Sequence, residues 1–247
     1  MNQIKPLDGS VALVAITKHG TTQAAQLAPR LPQAEIITSQ KFTDTFAHLA
    51  NRVLPYDGAL RAQIAPLFAD YDQIVFFVSL GAVVRLIAPH LKSKDEDPGV
   101  LVVDDAGQFV IPLLSGHIGG ANAWAEHLAA LIGATPVLTT ASDVGKTIPV
   151  DILGRELGWQ VEAPKINITR VSAHVVNEEL IALIDERANP SQDWWTRPVP
   201  LPKSIHLFTR FEDVDVSQFS ALLWITNRTL PEDIWQRLPE RLVVYRP

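Results

Sequence analysis

Short apolar runs rich in β-branched residues alternate along this chain with segments whose apolar residues recur at helical spacing. The run QIVFFVSL, residues 73–80, is apolar at nearly every position, as expected of a central parallel strand that is buried on both faces. Strand, turn and helix follow one another repeatedly, and this order is typical of an α/β protein with a doubly wound, mainly parallel sheet. We therefore predict such a sheet for the first part of the chain.

The elements predicted for this first part follow from the same pattern. Strands are predicted at residues 11–17, 34–39, 73–80, 100–105, 109–114 and 136–142. Helices are predicted to end near Pro29 and to cover residues 43–51, 58–69, 82–90 and 119–133. The segment VLVVDDAGQFVIPLL predicts a hairpin, because Asp104, Asp105 and Gly107 are residues that tight turns favour.

A second, smaller α/β unit is predicted from about residue 146 onward. The segment TIPVDILGRELGW predicts a helix with Pro149 in its first turn. After it come a predicted helix at residues 169–179 and predicted strands at residues 180–185, 205–210, 222–226 and 242–245. Residues 189–203 contain four prolines and predict an extended surface arm. We therefore expect two domains, residues 1–145 and 146–247.

Composition and charge exclude several classes of protein. With 47% hydrophobic and 19% charged residues, the chain is globular rather than disordered. Its formal net charge of -6 and its lack of a basic run argue against nucleic acid as a partner. Residues 1–10 are polar, and no apolar run approaches the roughly 18 residues of a membrane span. We expect a soluble cytoplasmic protein that does not bind membranes.

The residue types present also limit the chemistry. Cysteine is absent, which excludes disulfides, zinc–thiolate sites and cysteine nucleophiles. No spacing matches a Walker loop, a Rossmann fingerprint or an H-E-x-x-H zinc helix. Neither a nucleotide nor a metal held by protein side chains is therefore expected.

Three loops are candidate binding segments, because ligands of open α/β sheets bind beyond the carboxyl ends of strands, where helix N-termini present unpaired N–H groups. They cover residues 18–22, 79–85 and 115–122. The first contains Lys18. The second has Gly81 at a turn and Arg85 on the following helix, where the guanidinium would either clamp a substrate carboxylate or form a surface ion pair.

The third loop, SGHIGGAN (residues 115–122), combines a hydroxyl, an imidazole, three glycines and a carboxamide. His117 stands just before a helix, where the helix dipole favours a neutral ring that can accept a proton. It is a candidate general base, and the alternative is a tight turn in which His117 only caps local backbone. Ser115 is a candidate nucleophile, although the spacing lacks the G-x-S-x-G pattern of a nucleophile elbow.

Two further charged segments have both a functional and a structural interpretation. KSKDEDPG contains Lys94, a candidate cation in a stretch rich in both signs of charge. TTASDVGK places Asp143 among hydroxyls at the end of a predicted strand, so this segment is either part of a binding site or a joint between domains.

Several motifs resemble those of one known family. The pieces G-A-x-x-R-x-x-A-P, K-x-x-D-P-x-V-x-V-x-D, L-L-S-G-H-x-G-G-A-N and T-T-A-S-D follow one another within residues 81–146. In this order and spacing they resemble the CbiG family of cobalamin-biosynthesis proteins, the cobalt-precorrin-5A hydrolases. The segments VALVAITKHGTTQAAQLA and VDILGRELGW are also similar to that family, so the resemblance extends over essentially the whole chain.

The resemblance implies a hydrolase that opens the δ-lactone of cobalt-precorrin-5A and releases acetaldehyde to give cobalt-precorrin-5B. The substrate is a tetrapyrrole that carries its own cobalt, so no further cofactor is implied. Its acetate and propionate groups need donors, for which Arg85, Lys94 and Lys18 are candidates. We assign His117 as the base, Asn122 as a residue that orients water or substrate, and the N–H groups of Gly119 and Gly120 as oxyanion donors.

The resemblance also raises the question of a further domain. Members of the family usually continue into a C-terminal domain after a segment similar to LVVYRP, where this sequence ends. A competing hypothesis is therefore a non-catalytic corrinoid-binding or scaffold subunit, completed by a separate protein that carries the C-terminal domain or by a homo-oligomer. Trp194 and Trp195 would then form a docking surface for that partner. The alternative interpretation of these two side chains is simple local packing.

Overall fold

The computed structural model describes residues 9–247 and contains two compact units, divided between Leu138 and Thr139. Each unit has its own sheet and its own core. The domain boundary expected after residue 145 falls inside the second unit and stays a prediction. No helix of residues 9–247 is long and apolar enough to cross a membrane.

The first unit is built on a seven-stranded sheet with the strand order β3-β2-β1-β4-β5-β6-β7. Its strands are β1 (Val11–Ala15), β2 (Glu35–Ser39), β3 (Val53–Tyr56), β4 (Gln73–Phe77), β5 (Gly99–Val103), β6 (Phe109–Leu114) and β7 (Thr135–Pro136). Its helices are α1 (Lys18–Leu27), α2 (Ile64–Asp70), α3 (Leu80–Ile87) and α4 (Ala121–Ile132). Strands β1 to β5 are parallel, and β6 pairs with β5 in the antiparallel direction.

The central strands are buried on both faces, as their unbroken apolar runs predict. On one face Leu13, Val75 and Leu101 pack with Trp124 and Leu128 of α4. On the other face, the alternate residues of the same strands pack with apolar side chains of α2 and α3. Helices thus cover both faces of a mainly parallel sheet, which confirms the predicted fold class.

We name the two edges of this sheet by the parallel strands. The amino edge is where β1 to β5 begin, and the carboxyl edge is where they end. The predicted hairpin joins β5 to β6 at the carboxyl edge, where Asp104 accepts hydrogen bonds from the backbone N–H groups of Ala106 (3.1 Å) and Phe109 (2.6 Å). Gly107 has a positive φ of 65° in this turn. The turn therefore explains the acidic pair without any ligand.

Some predicted elements of the first unit differ in the structure. Residues 40–46 form a 3-10 helix instead of the α-helix expected at residues 43–51, and the strand β3 that follows was not predicted. The strand expected at residues 136–142 is reduced to Thr135–Pro136. In both places the local pattern of apolar residues was ambiguous, because a short apolar run fits a strand as well as a helix.

The second unit contains a five-stranded sheet with the order β10-β9-β11-β12-β8. Its elements are α5 (Ala141–Val144), β8 (Gln160–Glu162), α6 (Lys165–Val176), β9 (Ile181–Asp185), β10 (Ile205–Phe208), β11 (Ala221–Ile225), α7 (Glu232–Arg237) and β12 (Leu242–Arg246). Strand β8 is antiparallel to β12, and the other pairs are parallel. The predicted smaller α/β unit is therefore present.

The helix predicted from residue 146 with Pro149 in its first turn is wrong. This segment forms turns and one 3-10 turn, Arg155–Leu157, which is flanked by Gly154 (φ 72°) and Gly158 (φ 79°). A Cβ atom on Gly154 would lie 2.0 Å from the ring of Trp159, so the indole packs directly on the glycine backbone. Two left-handed glycines and this packing override the helical spacing.

The proline-rich arm, residues 189–203, packs against the second unit. Trp194 is buried within the core, and the indole N–H of Trp195 donates to the carbonyl of Val199 (2.7 Å). The docking surface proposed for the tryptophan pair is therefore wrong for Trp194, and local packing explains both side chains.

Arg187 ties this arm to the end of β9. Its guanidinium donates to both carboxylate oxygens of Asp185, to both of Asp193 and to the carbonyl of Ser191. It also lies over the ring of Trp159, 4.7 Å from the centroid. Hydrogen bonds to Asp185 and then Asp193 raise the pKa of Arg187. The planar guanidinium meets all these partners at once, which an ammonium cannot do.

We expect Arg187→Lys to destabilise the second unit by about 1–3 kcal/mol, because hydrogen bonds to the buried Asp185 are lost while the charge remains. Urea unfolding followed by tryptophan fluorescence tests this, since five of the six tryptophans lie in this unit. The control is Arg170→Lys, which alters an exposed pair with Glu240 (3.5 Å) and should change stability by less than about 1 kcal/mol. Equal midpoints for both variants would contradict the role assigned to Arg187.

Candidate functional site

The SGHIGGAN loop follows β6, and its position depends on the direction of that strand. Leu114, at the end of β6, pairs with Val100 near the start of β5. Gly99, the first residue of β5, pairs in turn with Gln73, the first residue of β4. The loop therefore lies at the amino edge of the sheet. The expectation that all three candidate loops share the carboxyl edge is wrong, because β6 runs opposite to its parallel neighbours.

The loop folds tightly on itself at the start of α4. Ser115 has a positive φ of 55°, and Gly120, the residue before the helix, has a φ of 81°. A Cβ atom on Gly119 would lie 2.3 Å from the Cβ atom of Ser115, so only glycine fits at position 119. The glycines thus allow the loop to pack closely on itself. From the sequence, their expected role was to let the backbone approach a ligand closely.

Three backbone N–H groups at the end of this loop donate to carbonyls inside the loop. Gly120 N–H donates to the carbonyl of His117 (2.9 Å), Ala121 N–H to that of Ser115 (3.2 Å), and Asn122 N–H to that of Gly116 (3.0 Å). The first donors of α4 are therefore already paired. This corrects the assignment of Gly120 as an oxyanion donor, because its N–H is bonded to a neighbouring carbonyl. Gly119 is buried, and its carbonyl accepts a hydrogen bond from the Gln73 side chain.

The three side chains assigned to catalysis differ in exposure. His117 is half-buried, whereas Ser115 and Asn122 are buried. The Ser115 hydroxyl is buried without a hydrogen-bond partner, so it has neither exposure nor a base to activate it. This argues against Ser115 as the nucleophile. The Asn122 carboxamide packs against Gly116, where a Cβ atom would lie 2.6 Å from Oδ1, so Asn122 shapes the loop.

Lys94 lies at the same edge as the SGHIGGAN loop. It is exposed on the connection between α3 and β5, which leads into the amino end of β5. In this connection the buried carboxylate of Asp97 accepts hydrogen bonds from the backbone N–H of Lys92 (3.1 and 3.2 Å). The connections before β5 and after β6 therefore bring Lys94 and His117 to the same edge of the sheet, although they are 23 positions apart in the sequence.

Lys18, Gly81 and Arg85 lie at the carboxyl edge. Lys18 begins α1 after β1, and Gly81 is in the first turn of α3 after β4, so both flank the point where the strand order reverses. Arg85 donates from Nη1 to the carbonyl of Gly81 (2.9 Å), one turn earlier. Strands of five residues separate the two edges by about 15 Å. The structure thus divides the predicted site residues of the first unit into two groups.

Asp143 belongs to the second unit, on the four-residue helix α5. Its carboxylate forms an ion pair with Arg197 of the proline-rich arm (2.8 Å), and both side chains are largely buried. An intramolecular partner therefore explains this acidic residue. Among residues 9–247, no group of three or more His, Asp or Glu side chains could hold a metal ion.

A cavity of about 430 Å³ at the amino edge was not predicted from the sequence. Glu35, at the start of β2, accepts hydrogen bonds there from the Tyr71 hydroxyl and from Arg52 (2.8 Å). The bond from Tyr71, followed by the contribution of Arg52, lowers the pKa of Glu35, and burial together with Glu35 raises the pKa of Tyr71. These three side chains satisfy one another, so we assign no chemistry to them.

The carboxyl ends of β9 and β11 in the second unit carry another network that the sequence analysis missed. Glu186 follows β9 and accepts hydrogen bonds from the hydroxyl of Thr226 (2.8 Å), the guanidinium of Arg228 (3.0 Å) and the backbone N–H of Phe211 (3.2 Å). The loops after β9, β10 and β11 are thereby joined around one carboxylate. The groups at this switch point of the strand order bind one another.

The chain matches two family descriptions. Residues 62–143 match "Cobalamin synthesis G N-terminal", and residues 148–247 match "Cobalamin biosynthesis central region". Both candidate edges of the first unit lie mainly within the first match, because Gly81, Arg85, Lys94 and the SGHIGGAN loop all fall between residues 62 and 143.

Individual relatives align over nearly the whole chain. A protein of Priestia megaterium named cobalt-precorrin-5A hydrolase is 42% identical over 239 residues, which cover 97% of this chain and 63% of the relative. One of the same name from Salmonella typhimurium is 32% identical over 251 residues, covering 98% and 66%. The chain thus spans about two thirds of the length of these curated relatives.

Among solved structures, a homolog of cobalamin biosynthesis protein G from Sulfolobus solfataricus aligns with 21% identity and a TM-score of 0.48, over 96% of this chain and 60% of that one. The two family descriptions together with the relatives match most of the sequence in order. This chain therefore belongs to the CbiG family of cobalamin-biosynthesis proteins, of which it carries the N-terminal and central regions.

Proposed function

We propose that this chain acts in cobalamin biosynthesis as a cobalt-precorrin-5A hydrolase, which opens the δ-lactone of its tetrapyrrole substrate and releases acetaldehyde. The observation that carries the proposal is the 42% identity, over nearly the whole chain, to a relative of that name. The presence of Lys94 and His117 at one edge of the first sheet supports it, because lactone hydrolysis needs a base and an anionic substrate needs a cation.

We place the reaction at the amino edge, with His117 as the general base. The imidazole would take a proton from water as the water oxygen attacks the lactone carbonyl carbon, and the ring C–O bond then breaks as the imidazolium returns the proton to the leaving oxygen, which gives a carboxylate and an alcohol. Release of acetaldehyde then requires that the alcohol lose its proton while the C–C bond to the macrocycle breaks, with the electron pair and a proton going to the macrocycle carbon. His117 is half-buried in a loop held by its own backbone hydrogen bonds, which limits its movement. Because Gly120 N–H is occupied, the oxyanion must be stabilised by other donors.

The substrate carboxylates need cations or N–H donors, and we propose Lys94 for the group that lies nearest the lactone. Lys94 is exposed at the same edge as His117. Lys18, Gly81 and Arg85 are separated from this edge by the length of the strands, about 15 Å. They would contact only a distant part of the same macrocycle, so they contribute less to its binding in this proposal.

His117→Ala tests the base. We expect kcat for acetaldehyde release to fall by about 10²–10⁴, the usual contribution of a positioned general base, with the fold retained. The control is His127→Ala, which removes an exposed histidine of α4 whose ring contacts the edge of Trp124 and should leave kcat unchanged. Activity of His117→Ala within threefold of the parent would overturn the assignment.

The assay is performed on the chain alone and after addition of the separate C-terminal region of the Priestia megaterium relative. Release of acetaldehyde by the chain alone supports a complete catalytic site in these two regions. Release only after the addition would show that the C-terminal region contributes to the site. No release in either case, with intact fold, contradicts the proposed function and favours the scaffold hypothesis.

Comparison of Lys94→Ala with Arg85→Ala tests which edge binds substrate. We expect Lys94→Ala to raise KM by about tenfold or more, since a charge-assisted hydrogen bond contributes about 1.5–3 kcal/mol. Arg85→Ala should change KM by less than threefold. The reverse result would move the substrate to the carboxyl edge and would exclude His117 from contact with the lactone.

A further inference from the structure

Gln73 is a glutamine in a position where apolar residues are expected. It is the first residue of β4, it is fully buried, and it pairs with Val11 of β1 on one side and with Gly99 of β5 on the other. Burial of a carboxamide is costly unless its polar atoms form hydrogen bonds. A glutamine in the middle of the sheet therefore indicates a specific interaction.

That interaction joins the sheet to the SGHIGGAN loop. The Nε2 atom of Gln73 donates a hydrogen bond to the carbonyl of Gly119, whereas its buried Oε1 atom has no hydrogen-bond partner. Gly119 lies two residues after His117 and is buried. The backbone hydrogen bonds from Gly120, Ala121 and Asn122 link the loop to itself and to the start of α4. They determine its shape, whereas Gln73 attaches it to the central strands.

The surrounding backbone is adapted to the Gln73 side chain. A Cβ atom at position 99 would lie 2.0 Å from Oε1 of Gln73 and within 3 Å of its Cδ and Nε2 atoms. Gly99 therefore leaves the space that the carboxamide occupies between β5 and the loop. On the loop side, Gly119 packs against Ser115. A Cβ atom on Gly119 would clash with the side chain and the carbonyl of Ser115. Gln73, Gly99 and Gly119 form one closely fitted contact.

We propose that Gln73 is a positioning residue for the hydrolysis, which holds the SGHIGGAN loop against the sheet so that His117 keeps the orientation needed to act as the base. The inference rests on the proposed function. Gln73 is buried and cannot touch the substrate, so it acts through the loop. A catalytic group must be held to within about 0.5 Å by its supporting residues, and a buried strand paired on both sides, such as β4, is suited to give that support.

The test is Gln73→Met, which keeps the length of the side chain and removes the donor. We expect kcat to fall by about 10- to 100-fold, because misplacement of a catalytic group by about 1 Å lowers the rate by up to about that factor. KM should change by less than threefold. In a His117→Ala background the same substitution should lower kcat by less than twofold, because there is no base left to position. Equal losses in both backgrounds would overturn the proposal.

The matched control is Asn51→Leu. Asn51 is also a buried carboxamide of the first unit, and its Nδ2 atom donates to the carbonyls of Leu31 (2.9 Å) and Ala34 (3.0 Å), away from the loop. This variant should lower the unfolding temperature and leave kcat unchanged. A similar loss of kcat in Asn51→Leu would mean that general destabilisation explains the effect of Gln73→Met, and would contradict positioning.

Hydrogen exchange separates this inference from the proposed function. Without substrate, the backbone amides of residues 115–122 should exchange at least about tenfold faster in Gln73→Met than in the parent, and not in Asn51→Leu. Unchanged exchange in the loop would overturn the inference whatever the activity. If Gln73→Met exchanges faster and the parent releases no acetaldehyde either alone or with the added C-terminal region, the hydrolase assignment is overturned and Gln73 is retained as the anchor of the loop. If Gln73→Met does not fold, Gln73→Asn, which keeps the carboxamide but is too short for Gly119, replaces it.

Discussion

The antiparallel pairing of β6 with β5 is the constraint that determines where the candidate site residues of the first unit lie. The chain reverses at a turn capped by Asp104, and β6 then runs back along β5 from Val103 to Val100. Its end is thus carried to the edge where the parallel strands begin. The SGHIGGAN loop therefore lies next to the first residues of β4 and β5, and next to the connection that holds Lys94. In an all-parallel sheet the same loop would lie at the carboxyl edge, the edge that carries Lys18 and Gly81.

The structure of this loop also limits how it can act. Its glycines allow a compact bend, and the bend uses the N–H groups that begin α4 for hydrogen bonds to its own carbonyls. A helix N-terminus whose first donors are paired in this way has less capacity for an anion. The loop is thus better suited to hold side chains in place than to bind negative charge through its backbone, and His117 is the side chain on it that can exchange a proton.

The second unit uses its charged residues for cohesion. Arg187 connects the proline-rich arm to β9, and Glu186 connects the loops after β9, β10 and β11. Both are at the strand ends where α/β sheets often bind ligands. Their hydrogen-bonding capacity is directed to neighbouring side chains and backbone. The charged and aromatic residues around Trp194 therefore pack within the second unit and stabilise it.

Local pattern in the sequence determined most elements of the fold. The apolar run that begins at Gln73 and the turn residues Asp104 and Gly107 act on their neighbours in the chain, so their burial and turn conformations could be predicted. The helix expected at Pro149 failed because Trp159 packs on Gly154, a contact that helical periodicity does not describe. The edge occupied by His117, and the hydrogen bond from Gln73 to Gly119, were decided only by the tertiary structure. An apolar strand has the same pattern in either direction, and its direction depends on the hydrogen bonds it forms with strands distant in the sequence.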